Sequence, residues 1–103
     1  MQGTKSMGAK DIENEARRLK EMGLTVTAAR YYLRLGKKSK AAEAYERGGW
    51  FGSAAELRIE MGAIRKAAID YIKGGWTARA AKLLESIGDV EGAKRIRQVA
   101  PLR

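Results

Sequence analysis

Glycine recurs at thirteen-residue intervals along this chain, at Gly23, Gly36, Gly49, Gly62, Gly75 and Gly88. Paired alanines follow in constant phase as Ala28-Ala29, Ala41-Ala42, Ala54-Ala55, Ala67-Ala68 and Ala80-Ala81, with Ala93 alone in the last unit. An interval of that length holds one helix of about eleven residues and a tight turn, so the chain is one helix-and-turn unit copied along its length. Glycine suits the turn because helices commonly end in the left-handed region, which costs other L-residues about 1 kcal/mol or more. Helices this short are marginal alone in water and must pack on their neighbours. Alanine at mid-helix lets backbones approach near the short end of the usual ~8–10 Å range.

Counted from each glycine, apolar or small residues fall at the second, fifth, sixth, ninth and twelfth places, one stripe of an α-helix. Ile64, Ala67, Ala68 and Tyr71 show the pattern, whereas Arg58 is an exception to it. The spacing predicts helices over 10–22, 24–35, 37–47, 50–61, 63–73, 76–87 and 89–99. The turns alternate: Gly48-Gly49-Trp50 and Gly74-Gly75-Trp76 on one side, Leu35-Gly36, Met61-Gly62 and Ile87-Gly88 on the other. The full repeat is therefore 26 residues, over 36–61 and 62–87, with 10–35 a divergent copy and 88–103 a half copy. The expected fold is all-α, a solenoid of right-handed type with about seven short antiparallel helices, or 3.5 helical hairpins. It occupies 10–103 as one domain, after a flexible tail at 1–9. Lys94, Arg95 and Arg97 make the last helix a polar cap, and Pro101 ends it.

The segment Gly62-Ala63-Ile64-Arg65-Lys66-Ala67-Ala68-Ile69-Asp70-Tyr71 resembles the second-helix half of a tetratricopeptide repeat, as do Gly49–Leu57 and Gly88–Ala93. The likeness spans nearly all of 23–96, but the period is 26 rather than 34 and no proline closes each repeat. The chain is thus similar to a shortened tetratricopeptide-like array. That resemblance implies a concave face for a peptide or protein, and carries over no particular ligand.

Composition narrows the chemistry. The chain has no Cys and no His, which removes disulfides, the commonest general base and the usual zinc and copper ligands. Ser39, Ser53 and Ser86 stand near helix ends or turns, where capping explains them, and Glu43 and Glu46 lie one turn apart on an outward face. Every in-phase glycine is explained by the repeat, so none is left for a phosphate-binding loop. No enzyme, catalytic residue, metal or cofactor is expected. No apolar run reaches membrane-spanning length and no signal-peptide core is seen, so a soluble, cytoplasmic protein is expected.

The net charge of +9 favours an anionic partner. Lys37, Lys38 and Lys40 open the third helix and Arg65 and Lys66 the fifth, against the helix dipole. Lys40 and Lys66 are repeat equivalents and fall on one edge of the stack, making these five residues candidates for anion or partner binding. Trp50 and Trp76 also occupy equivalent places, either as aromatic platforms or as plugs at the open end of a hairpin, with the repetition favouring the plug. Tyr31 is the third aromatic candidate, because it and Tyr32 cannot both face the core. The leading expectation is protein or peptide binding, with an acidic partner. Nucleic-acid binding through phosphates and self-association into a homo-oligomer are the alternatives.

Overall fold

The computed structural model describes residues 8–99. Seven helices follow one another: α1 (Ala9–Glu21), α2 (Thr25–Arg34), α3 (Lys38–Arg47), α4 (Phe51–Glu60), α5 (Ile64–Lys73), α6 (Thr77–Ser86) and α7 (Val90–Val99). No strand occurs among the described residues, and every helix end lies within one residue of its predicted position. Of the expected tail, Ala9 instead opens α1. Residues 1–7 and the stop at Pro101 lie outside the described residues.

One backbone device makes all six turns. The phase glycines adopt φ between 71° and 87°. Each donates its N–H to the carbonyl three residues back, as Gly49 does to Glu46 at 3.0 Å. The next residue donates to the carbonyl five back, as Trp50 does to Tyr45 at 2.8 Å, completing the helix-ending motif of glycine C-caps. That same residue then starts the following helix, its carbonyl accepting from the N–H four on, as Trp50 does from Ala54 at 3.1 Å. Leu24, Lys37, Trp50, Ala63 and Trp76 hold this double post at φ near −90° and ψ of 63° to 73°. The backbone thus repeats every thirteen residues; the 26-residue period resides in side chains, because successive turns fall on alternate edges.

None of those five residues caps its helix with a side chain. Ser39 and Ser53 lie inside α3 and α4, and the Ser86 hydroxyl donates to the Leu83 carbonyl at 2.6 Å at the end of α6. Of the serines expected to cap, Ser39 and Ser53 therefore lie within their helices, whereas Ser86 satisfies a carbonyl at the C-terminal end of α6. Asp89 is one instead: its Oδ1 accepts from the Gly92 N–H at 2.9 Å.

The paired alanines are sealed from solvent, none more than 2% exposed. Close backbone packing joins each helix to its chain neighbours, and the molecule measures 64 × 24 × 15 Å. Its radius of gyration is 16.8 Å, against about 13 Å for a compact domain of this length, as a solenoid-like row of helices requires. The apolar interior falls into two clusters. One gathers Leu19, Tyr32, Ala54 and Leu57, and the other Ala55, Tyr71 and Leu84, so α4 is divided between them. No helix among the described residues is long and apolar enough to cross a membrane.

Candidate functional site

The turns at Gly36, Gly62 and Gly88 form one edge and carry the five basic candidates. Four of these cations are already paired. Lys37 and Lys40 both reach Glu13 on α1, at 3.2 and 2.5 Å. Lys38 meets Glu60 at 3.1 Å, and Arg65 meets Asp89 at 2.9 Å. The Glu13 carboxyl is held below its ordinary pKa, first by the hydrogen bond from Lys40 and then by that from Lys37. Asp89 is likewise lowered, by Arg65 and then by the Gly92 N–H. The positive charge at these helix starts is therefore matched by acids from other helices, which accounts for it without an external anion. Lys66 differs. Where its equivalent Lys40 finds Glu13, the matching place holds Ser39, and no acid pairs with Lys66 among the described residues.

The turns at Gly23, Gly49 and Gly75 form the other edge, and there Leu24, Trp50 and Trp76 stand 26 residues apart in register. They are 49%, 55% and 36% exposed. The two tryptophans share a backbone geometry and differ in what lies beneath them. The Trp76 ring lies across Gly74, its Cζ3 2.6 Å from where a Cβ there would sit, and it reaches Gly52, whose Cβ would sit 3.1 Å from Cη2. Tyr71 meets it edge-on, with centroids 6.0 Å apart and planes at 89°. Trp76 is thus the plug that the repeat suggests.

Trp50 is not. The place equivalent to Gly52 is Val26 on α2, whose branched side chain stands where glycine leaves room for Trp76. At Gly48 the atoms nearest a would-be Cβ belong to Thr25, and Trp50 comes next with Cδ1 at 3.2 Å. With Leu24, Thr25, Val26, Thr27 and Gly48 it lines a cleft of about 310 Å³. Arg47 and Lys73 sit three residues before the two tryptophans, with no acid at ion-pair distance among the described residues. This edge therefore sets exposed apolar surface beside positive charge, of which Lys73 also acts on the carboxyls of Glu46 and Asp70.

No family model, no curated protein and no solved structure matches this chain. The site is thus described by its own chemistry. Tyr31 is half-buried beneath Arg34, whose guanidinium carbon lies 5.8 Å from the ring centroid, and it lies on α2, remote in sequence from the Trp50 turn. Tyr32 is buried, with the Lys20 and Lys40 ammonium groups 5.9 and 6.0 Å from its ring. No carboxylate lines the clefts beside the turns at Gly36, Gly23 and Gly62, and no cluster of acids suited to a metal occurs among the described residues.

One charged cluster escaped sequence reasoning. Arg58, 5% exposed, directs Nη2 to both oxygens of Glu46 at 3.2 and 3.1 Å, and its Nε lies 3.9 Å from Asp70 Oδ2. Glu46 is thus not a solvated outward acid; only Glu43 of that pair is exposed. The signal was the even spacing of residues 46, 58 and 70 together with an arginine on an apolar stripe.

Proposed function

We propose that this chain is a non-enzymatic helical repeat module, shortened and tetratricopeptide-like, that binds an acidic segment of another protein along its tryptophan-bearing edge. The segment seats an apolar side chain beside Trp50 and Leu24 and places carboxylates near Arg47 and Lys73. The observation that carries this reading is Trp50, a large aromatic more than half exposed beside a cleft of mixed polar and apolar lining, with the cation Arg47 three residues away. Aromatic anchors in apolar pockets supply most of the binding energy of protein interfaces, and a charged surround adds steering. The opposite, basic edge contributes less than its charge suggests, because Lys37, Lys38, Lys40 and Arg65 are satisfied internally. Lys66 alone of the five is free to meet a partner's acid among the described residues.

Selection from a random peptide library tests this. Enriched peptides are expected to combine Asp or Glu with one large apolar residue, to bind less in Trp50→Ala, and to bind equally in Glu43→Gln. No enrichment, together with single-stranded oligonucleotide binding that weakens steeply with salt, would replace this reading with phosphate recognition. A dimer by light scattering that shields Trp50 from a quencher would replace it with self-association.

A further inference from the structure

We infer that Glu46, Arg58 and Asp70 form a proton-operated joint between the two halves of the array, firm when Asp70 carries a proton and loosened when it does not. Three consecutive helices supply the cluster, Glu46 from α3, Arg58 from α4 and Asp70 from α5, and it lies at the helix where the apolar interior divides. Arg58 stands where the equivalent places hold Leu19, Tyr32, Tyr45, Tyr71 and Leu84, and where only the end helix α7 repeats the arginine, as the exposed Arg97; among the buried stations charge replaces packing here.

Among the described residues, Arg58 is the one cation within ion-pair distance of the two carboxyls, with Lys73 acting on both from beyond it. Two carboxyl groups share one guanidinium, Asp70 is only 1% exposed, and Arg58 Nε and Asp70 Oδ2 lack hydrogen-bond partners. An uncompensated buried charge is expensive, and the group neutralises instead. Asp70 does so by keeping its proton and donating it to Glu46. Burial first, then the hydrogen bond and the charge of Glu46, push its pKa up to about 7, against the pull of Arg58 and of Lys73 on its own helix. Burial pushes Glu46 upward too, but the hydrogen bonds from Asp70 and Arg58 outweigh it and leave Glu46 below its ordinary value. From the α6 side, Arg79 lies over the Tyr71 ring, 5.9 Å from its centroid.

The sign follows from linkage. A carboxyl raised on folding contributes stability that is full below its unfolded value of 3.8 and is lost as pH rises through about 7. Removing that proton sets a second, buried negative charge against Glu46, with one guanidinium between the two, and loosens the contact of α4 with α5. The composition isolates the effect, because a chain without His or Cys has no other side chain whose ordinary pKa lies in the neutral range.

Thermal melts of the full chain at pH of about 5.5 and about 8, with Asp70→Asn alongside, test the joint. The wild type is expected to melt lower at the higher pH by about 5 °C or more. Asp70→Asn, a permanently neutral isostere, should melt alike at both and above the wild type at the higher one. Amide exchange at the higher pH should quicken in α4 and α5 of the wild type before α1, and less so in the variant. Equal wild-type melting at both pH values would overturn the joint, as would an undiminished pH slope in Asp70→Asn. Should Asp70→Asn fail to fold, carboxyl carbon titration of the wild type decides: a midpoint near 7 for Asp70 sustains the proposal, and one below about 5 overturns it.

Discussion

Trp50 and Trp76 occupy one address in the repeat and meet different neighbours. Both follow a double glycine, both end one helix while starting the next, and their backbone angles agree within a few degrees. What separates them lies on the helix two units back, where Gly52 leaves a bare seat for the Trp76 ring and the equivalent place beside Trp50 carries Val26. A repeated residue is therefore not a repeated role. The role is set by whether the neighbouring copy makes room, and a copy that does not make room turns a structural plug into free surface.

Removing each ring should expose this difference most plainly. Trp76→Ala is expected to lower stability by about 2 kcal/mol, since it empties a packed seat, whereas Trp50→Ala should stay within about 0.5 kcal/mol; urea titrations compare them directly. Filling the seat comes next. Gly52→Val should lift Trp76 out, at a loss of about 1 kcal/mol and with its fluorescence shifted to the red. The reciprocal change, Val26→Gly, should let Trp50 lie down: its emission moves to the blue, peptide binding falls, and stability changes by less than about 1 kcal/mol.

The smallest effect belongs to the other edge. Glu13→Gln should destabilise slightly, and less as salt rises, because the partners are exposed. Glu13 has its pKa lowered by Lys40 and Lys37, so the pairs act above its ordinary value of 4.5 and are lost as pH falls through the lowered one. An acid titration of wild type against this variant should therefore converge at low pH.

Helix positions and turn glycines were legible because both depend on neighbours along the chain. The left-handed glycines show as a beat, and the apolar stripe shows as a period. What the sequence hid depends on which residues from different helices come within a few ångströms. Lys40 and Lys66 read as one repeated feature, yet one has Glu13 across from it and the other Ser39. Val26 and Gly52 are equivalent only once the 26-residue register is known, and the burial of Asp70 only once α4 and α6 are known to flank it. The serines misled because the turn already satisfies its own backbone, leaving N-capping to Asp89.

The shared residue at each turn has a consequence for how the chain reaches its fold. One residue closes a helix and opens the next, and even the hydrogen bond from Lys40 to Glu13 spans only 27 positions. No distant segments need to find each other, so little loop entropy must be lost before contacts form, and topologies of this kind fold fast. Each finished helix leaves its cap as the template for the next. Ordering can begin at any turn and spread in both directions, and pulling on the ends should unzip the row one helix at a time.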